Sequence, residues 1–308
     1  MKLYFAPLEG ITGYVFRQAH WKYYGGPDKY FAPFVSPNGN KCFTNRERND
    51  ILPEHNAGMP VVPQILTNSA DAFINTANQL EEYGYHEVNL NLGCPSGTVV
   101  TKYKGAGFLA KPEELDQFLY RIFESCHIKI SVKTRIGKDS PEEFPKLMDI
   151  FNRYPLEEII IHPRCQIDMY RGNPDMDVWK YGKEHSKNPV CYNGDIRSRK
   201  DYETLVTENE DLYGVMLGRG LITHPDLALV IKGENISKER FCTFHNEILQ
   251  GYRNIMSGDR NTLFKMKELW FYWIQNFPES EKIYKKIKKA TNVKEYEIAV
   301  NELFRQYL

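Results

Sequence analysis

One stretch of the chain reads Val88-Asn89-Leu90-Asn91-Leu92-Gly93-Cys94-Pro95-Ser96. Its first half is apolar enough for a buried strand, and its second half has the glycine and proline of a tight turn. Asn89 and Asn91 are two residues apart, so on a strand their side chains point to the same face. The stretch therefore predicts a strand that presents amide groups and a thiol to one place. A small cysteine that is merely buried is an equally simple interpretation.

The composition is that of a folded, soluble protein. Hydrophobic residues make up 42% of the 308 residues, and 40 Lys and Arg balance 40 Asp and Glu. A polyanionic partner would therefore have to bind a local basic patch. The six cysteines have no C-x-x-C spacing, which favours free thiols over a zinc site or a disulfide framework. Without a signal-peptide pattern or a membrane-length apolar run, we expect a cytoplasmic protein, monomeric and without metal.

Strand-like and helix-like segments alternate through most of the chain. Eight short apolar segments fall at residues 3–7, 30–35, 61–66, 87–92, 129–134, 158–162, 190–193 and 214–217. Seven segments with helical character fall at residues 14–24, 69–83, 112–126, 141–154, 175–185, 198–207 and 225–231. Near-continuous apolar runs are typical of parallel strands buried on both faces. The pattern predicts a (β/α)8 TIM barrel, with a doubly wound sheet as the alternative.

The pattern changes after Gly233, where strand-like segments stop. Residues 238–308 have helical periodicity, with one apolar face at Phe264, Leu269, Trp270, Trp273 and Phe277. A second face has Tyr296, Val300, Leu303, Phe304 and Tyr307. We predict a barrel domain at residues 1–235 and a small helical bundle at residues 236–308.

Polar and glycine-rich residues stand where the predicted strands end, which is where barrels of this class have their active sites. They are Pro7, Leu8, Glu9, Gly10, Gln64, Asn91, Cys94, Lys133, Arg135, His162, Arg164, Asn193, Gly194, Asp195, Gly218, Arg219 and Gly220. Each alone is a common turn residue or, for His162, a core histidine, but together they predict one site. Those after the last two strands suit a phosphate, because glycine lets backbone N–H groups approach the anion.

The same residues resemble the tRNA-dihydrouridine synthase family in the order of their motifs. The motifs are residues 6–12 with Phe16-Arg17, residues 89–96, residues 131–137, His162-Pro163-Arg164, Tyr170-Arg171-Gly172, residues 193–196 and Gly218-Arg219-Gly220. The resemblance implies an FMN enzyme that reduces a uridine in tRNA with NADPH. It implies FMN contacts at Pro7, Leu8, Glu9, Gln64, Lys133, His162, Asn193, Gly194, Asp195, Gly218 and Arg219. It also implies that Asn91, Cys94, Arg135 and Tyr170 meet the uracil, and that the residue 236–308 domain binds tRNA.

The chain departs from the family pattern in three places. Gly13 stands where family members usually have an acid, and His162-Pro163-Arg164-Cys165 replaces a more typical His-Gly-Arg-Thr. Lys102 and Lys104 lie in a loop that is commonly richer in small residues.

The implied chemistry is a hydride from FMN to C6 of the uracil and a proton from Cys94 to C5. An ordinary thiol keeps its proton near neutral pH and can act as a general acid. Lys282, Lys285, Lys286, Lys288 and Lys289 are the densest basic cluster and are candidates for tRNA contacts. Three alternatives stay open: an FMN barrel acting on a free pyrimidine or other small molecule, a Schiff-base aldolase using Lys133, and a tRNA-binding module without chemistry.

Overall fold

Nine short strands form one parallel sheet in a computed structural model that describes residues 1–39 and 41–307. Asn40, in the connection after the second predicted strand, and Leu308, at the end of the predicted bundle, lie outside the described residues. The strands are β1 (Lys2–Phe5), β2 (Lys29–Phe31), β3 (Val61–Val62), β4 (Gln64–Ile65), β5 (Glu87–Leu92), β6 (Lys129–Gly137), β7 (Ile159–Cys165), β8 (Val190–Tyr192) and β9 (Gly214–Leu217). Their order is β3-β2-β1-β9-β8-β7-β6-β5-β4.

The sheet closes at Pro63. The predicted strand at residues 61–66 is divided there, because proline has no N–H for the ladder. Its first half, β3, pairs with β2, and its second half, β4, pairs with β5. Val35 also bridges to Ile65, so the two ends of the sheet meet. The predicted eight-stranded barrel is confirmed, with one strand position occupied by two pieces.

Helices cover the outside of the barrel. They are α1 (Tyr14–Tyr23), α2 (Asn45–Ile51), α3 (Ala70–Glu82), α4 (Gly97–Val100), α5 (Pro112–Ser125), α6 (Phe144–Phe151), α7 (Met176–His185), α8 (Arg199–Thr207), α9 (Arg219–Thr223) and α10 (Leu227–Ile231). The predicted start at residue 69 is confirmed, since the Ser69 hydroxyl accepts from the Ala72 N–H. The sequence did not predict α2, α4 and α9, which lie in the connections at the mouth of the barrel or next to it.

Helix α1 receives its N-terminal cap from another helix. Gly13 precedes α1 and has no side chain, but Asp50 at the end of α2 accepts a 2.7 Å hydrogen bond from the Tyr14 N–H. A Cβ atom on Gly13 would lie 3.1 Å from the Asp50 Oδ1. The carboxylate of Asp50 therefore occupies the place that an acid at position 13 would use, which accounts for one departure from the family pattern.

The C-terminal helices form a bundle with an aromatic core. They are α11 (Glu239–Ile255), α12 (Gly258–Trp273), α13 (Glu281–Lys289) and α14 (Val293–Tyr307). Trp270, Trp273 and Tyr296 are fully buried, and the Trp270 indole N–H donates to the Tyr296 hydroxyl at 2.6 Å. The prediction that Phe264 belongs to the buried face is wrong, because its side chain is 62% exposed.

The bundle packs on the barrel through α1 and the loop after β1. Phe244 of α11 contacts Phe16 of α1 with ring centroids 5.6 Å apart. Lys265 of α12 donates to the Gly10 carbonyl at 2.9 Å. The apolar cores of barrel and bundle are continuous, and the predicted boundary at residue 235 falls in the loop between α10 and α11. Within the described chain, none of the helices is both long enough and apolar enough to cross a membrane.

Candidate active site

A cavity of about 490 Å³ opens at the carboxyl ends of the strands. The fifteen residues predicted to contact FMN or the uracil all line it: Pro7, Leu8, Glu9, Gln64, Asn91, Cys94, Lys133, Arg135, His162, Tyr170, Asn193, Gly194, Asp195, Gly218 and Arg219. Of the other predicted strand-end residues, Gly220 lines the cavity, whereas Gly10 and Arg164 do not. Parallel strands end on the same rim of a closed barrel, so residues far apart in sequence meet there. The predicted convergence of these residues is therefore observed, while their individual roles stay predictions.

The turn that presents Cys94 is held by Asn91. The Asn91 Oδ1 accepts from the Gly93 N–H at 3.0 Å and from the Cys94 N–H at 2.9 Å. Its Nδ2 donates to the Gln64 Oε1 at 2.6 Å. Gln64 in turn donates to Asn89 at 2.7 Å, inside the barrel. Asn91 therefore supports the turn directly, and Asn89, which sequence reasoning left without a role, supports it through Gln64.

Cys94 is half-buried and keeps its proton. Burial raises the pKa of the thiol above its usual range, and the positive charges of Arg135 and Lys133 oppose that shift only in part. The segment after the turn folds back onto it, and the Ala106 N–H donates to the Cys94 carbonyl at 3.1 Å. Gly105 permits this approach, since its φ is +55° and a Cβ atom there would lie 2.9 Å from that carbonyl. The site contains a protonated thiol on a rigid turn.

The ammonium of Lys133 faces the cavity. It makes no hydrogen bond to any side chain or carbonyl among residues 1–39 and 41–307. Burial, with Arg135 as the next cause, lowers the pKa of Lys133 to about 7. The Lys133 side chain is partly buried at the cavity surface, so this position suits a ligand that brings a hydrogen-bond acceptor or a negative charge.

Arg135 ties three backbone segments together. Its Nε donates to the Gly93 carbonyl at 2.9 Å, its Nη1 to the Cys165 carbonyl at 2.8 Å and its Nη2 to the Met169 carbonyl at 2.7 Å. The side chain is 1% exposed. Arg135 therefore positions the Cys94 turn and the loop that leads to Tyr170, while its contact with the uracil stays a prediction.

The tautomer of His162 follows from its neighbour Arg164. The Arg164 Nη1 lies 3.1 Å from the His162 Nε2, and a guanidinium can only donate. The Nε2 must therefore accept, which leaves the proton on Nδ1. Burial and the nearby positive charges, Lys133 first among them, lower the pKa of His162 well below its usual range, so the ring is neutral. A neutral imidazole with a defined donor suits recognition of a heterocycle.

The far end of the cavity has the features of an anion site. Arg219 donates to the Asp195 carboxylate at 2.7 Å, and Arg197 lies 3.8 Å from it, with a side chain that is 61% exposed. Gly220 is required by close packing, because a Cβ atom there would lie 2.2 Å from the Ile196 carbonyl. Arg197 lines the cavity but was not among the predicted residues. Its position two residues after the Asn193-Gly194-Asp195 motif could have indicated it.

Tyr170 and Glu9 stand at the mouth. The Tyr170 side chain is 54% exposed, and its ring centroid lies 5.4 Å from the Arg135 Cζ and 5.0 Å from the Arg219 Cζ. Glu9 pairs with Arg46 of α2 at 2.8 Å. Burial raises the pKa of Glu9. The mouth therefore combines an accessible aromatic ring with charges of both signs.

The bundle also contributes to the cavity, which sequence reasoning missed. Phe271 and Tyr272 of α12 line it opposite the strand ends. Burial raises the pKa of Tyr272, and Arg219 and Tyr170 are close enough to influence it. The separate prediction of a barrel site and a helical tail gave no reason to place α12 residues there.

The residues present fit a phosphorylated flavin. The cavity volume lies within the range of about 300 to 1,000 Å³ that is usual for small-molecule sites. Lys133 offers a cation without a partner, His162 a neutral ring, and Arg219 with the glycine-rich segments an anion site. One ligand with a flat polar ring and a phosphate would use all three.

Comparisons with known proteins agree with this geometry. Residues 4–307 match the family model described as Dihydrouridine synthase (Dus). The tRNA-dihydrouridine(16) synthase of Haemophilus influenzae is 28% identical over 287 residues, covering 90% of this chain and 86% of that protein. The tRNA-dihydrouridine synthase B of Pasteurella multocida is 27% identical over 232 residues, covering 75% and 69%.

Solved structures with the same fold are more distant in sequence. A variant of NCR from Zymomonas mobilis has a TM-score of 0.55 at 12% identity, covering 79% of this chain and 90% of that one. Morphinone reductase in complex with tetrahydroNAD has a TM-score of 0.51 at 11% identity, covering 78% and 90%. These structures support the barrel architecture, and the match over residues 4–307 decides the family. This chain belongs to the dihydrouridine synthase family.

Proposed function

We propose that this oxidoreductase reduces the C5–C6 double bond of a uridine in tRNA, with FMN as its bound cofactor and NADPH as its reductant. Membership of the family supports the reaction and a flavin, and the names of the relatives support tRNA as the substrate. The observation that carries the proposal for this chain is the pairing of a protonated Cys94 thiol with the partnerless Lys133 ammonium in one cavity.

FMN, when bound, supplies the hydride for C6 of the uracil. Cys94 holds the proton for C5 on a turn that Asn91 fixes from one side and the Gly105 segment from the other. Loss of that proton leaves a thiolate, which the positive charges of Arg135 and Lys133 stabilise. Lys133 and the His162 Nδ1–H offer hydrogen bonds to the cofactor ring, and Arg219 and Arg197 offer positive charge to its phosphate.

A uridine inside folded tRNA reaches this cavity only after it leaves the base stack. Extrusion costs a few kcal/mol, which stacking and pocket hydrogen bonds offset. The exposed Tyr170 ring at the mouth is in the right place to stack on the extruded base.

Of the three alternative functions that the sequence left open, family membership argues against two. A Schiff-base aldolase would suit the lowered pKa of Lys133. Membership of the dihydrouridine synthase family argues against that enzyme class and against a binding module without chemistry. The remaining rival is a flavin barrel that acts on a free pyrimidine.

Stopped-flow oxidation of the reduced enzyme separates tRNA from free pyrimidines. The holoenzyme is reduced anaerobically with NADPH and mixed with unmodified tRNA transcript, free uridine or orotate, while flavin absorbance is followed. We expect rapid reoxidation by tRNA and slow reoxidation by the small molecules. Equal or faster reoxidation by uridine or orotate would favour the rival.

A further inference from the structure

Helix α12 has two faces of opposite character. Its inner face, with Met266, Trp270 and Trp273, is fully buried in the bundle. Two large aromatic side chains project from the outer face, Phe264 at 62% exposure and Phe271 at 64%. Phe264 and Phe271 are seven residues apart, which is about two helical turns, so both side chains lie on one side of the helix. At a rise of about 1.5 Å per residue, their positions are roughly 10 Å apart along the helix axis. We call this pair the aromatic stripe.

The stripe begins at the active-site mouth and is held there rigidly. Phe271 lines the cavity and packs edge-on against Tyr272, with ring centroids 5.3 Å apart and planes at 90°. Lys265, which follows Phe264 in the chain, connects α12 to the barrel by donating to the Gly10 carbonyl at 2.9 Å. Asn276, just beyond α12, donates to the Thr223 carbonyl at 2.5 Å. The orientation of the stripe relative to the cavity is therefore set by barrel contacts.

Charged residues of both signs lie beside the stripe. Glu268, on the same helix face between the two rings, pairs with Lys265 at 2.9 Å, and the Lys265 ammonium lies 5.7 Å from the centre of the Phe264 ring. Arg260 is exposed one turn before Phe264, and Gln275 is exposed one turn after Phe271. Apolar rings of this size are exposed to water here, and a ligand that covered them would gain the free energy of burying their surface. A nucleobase has a flat face for each ring, and Arg260 can meet the phosphate that follows.

We propose that Phe264 and Phe271 form a stacking surface for the unpaired bases next to the target uridine, so that the bundle holds the RNA strand as it enters the cavity. The proposal rests on the proposed function, because it takes the substrate to be tRNA. It adds a base-stacking contact from α12 to the phosphate contacts expected of the lysines on α13.

Equilibrium binding of unmodified tRNA transcript tests the stripe. The holoenzyme is compared with Phe264→Ala, Phe271→Ala and Phe271→Trp by fluorescence anisotropy at two salt concentrations. Tyr120→Ala is the matched control, since Tyr120 is a 59% exposed aromatic residue on α5, outside the active-site cavity. Base stacking on one ring corresponds to about a 5-fold change in affinity or more.

We expect each alanine variant to bind tRNA at least about 5-fold more weakly than the wild type. Phe271→Trp keeps an aromatic ring at that position and should bind as tightly as the wild type, and so should Tyr120→Ala. The loss should be similar at both salt concentrations, because stacking releases no counterions. Alanine variants that bind as tightly as Tyr120→Ala would overturn the proposal that the aromatic stripe stacks on bases, even if the wild type forms dihydrouridine. Stripe-dependent binding without dihydrouridine would overturn the proposed function alone, and absence of tRNA binding would overturn both.

Discussion

Among single residues, Cys94 is the proposed proton donor to C5 of the uracil. Its thiol is protonated because burial raises its pKa, and its backbone is fixed by Asn91 and Ala106. We expect Cys94→Ala to stay yellow and to be reduced by NADPH at the wild-type rate. Transfer to tRNA should fall by about 100-fold or more, as is usual when a general acid is lost. Single-turnover reoxidation by tRNA measures this, and reoxidation at the wild-type rate would exclude Cys94 as the proton donor.

The lowered pKa of Lys133 should make the affinity for FMN depend on pH. Its pKa of about 7 in the ligand-free protein means that the ammonium loses its proton as pH rises from 7 to 9. A ligand that accepts from the ammonium should therefore bind up to about tenfold more weakly for each pH unit above 7. Titration of FMN into apoprotein, followed by flavin fluorescence, gives the profile.

Lys133→Met serves as the control for that profile. Because methionine cannot titrate, its FMN affinity should be low and independent of pH over the same interval. A flat profile for the wild type, or a sloped one for the methionine variant, would show that Lys133 is not the cofactor's cationic contact.

Among the helices and strands, α1 should depend for its stability on the cap that Asp50 supplies. Asp50→Ala removes the acceptor for the Tyr14 N–H and should lower the free energy of unfolding by about 1 kcal/mol. Gly13→Asp alone should also destabilise, because its Cβ atom would lie 3.1 Å from the Asp50 Oδ1. In the double variant the aspartate introduced at position 13 can cap α1 itself, since the backbone there is already extended.

Denaturant unfolding of the four proteins measures this coupling. We expect the double variant to recover most of the stability that Asp50→Ala loses, which makes the two substitutions strongly non-additive. Additive losses would mean that Asp50 does not occupy the place of a capping residue.

The elements also show what local sequence can and cannot predict. The strands were found from continuous apolar runs, and their polar ends predicted the site because a closed barrel brings those ends together. The division at Pro63 was missed, although proline within a strand is a warning, because apolar residues stand on both sides of it, Val61 and Val62 before it and Ile65 and Leu66 after Gln64. Helix α2 was missed since its seven residues, Asn45–Ile51, bury only Ile51 and have no apolar stripe.

At the scale of the whole molecule, the packing of the bundle on the barrel is what the sequence did not reveal. Phe264 was assigned to a buried face by spacing alone, but its side chain is 62% exposed, so the bundle leaves that face of α12 uncovered. For the same reason Phe271 and Tyr272 were absent from the predicted site. Periodicity identifies which residues share a helix face, but docking of two domains decides which face is covered.

The structure also shows which lysines of the basic cluster on α13 are already paired. Lys286 pairs with Glu302 at 2.7 Å, and Lys288 lies over the Tyr284 ring. Lys285 and Lys289 are exposed on α13 and make no ion pair with any residue that the structure describes. They are therefore better probes of tRNA binding than Lys286.

Charge reversal on α13 should weaken tRNA binding in a salt-dependent way. For Lys285→Glu with Lys289→Glu we expect weaker binding and a slope of log affinity against log salt that is shallower by about 1 to 2. Lys180→Glu with Lys200→Glu, on α7 and α8, makes the same charge change on exposed residues of the barrel surface. If both double variants change the slope equally, the effect is one of net charge, and α13 is not the tRNA contact.

Direct detection of the product tests whether this enzyme reduces a uridine in tRNA. Purified holoenzyme is incubated with unmodified tRNA transcript and NADPH, and dihydrouridine is located by mass spectrometry of nuclease fragments. We expect a gain of two hydrogens at a specific uridine, with NADPH consumed in equal amount, and no such gain with Cys94→Ala in a single turnover. Wild-type enzyme that consumes NADPH and leaves every uridine of the transcript unreduced would contradict the proposed function.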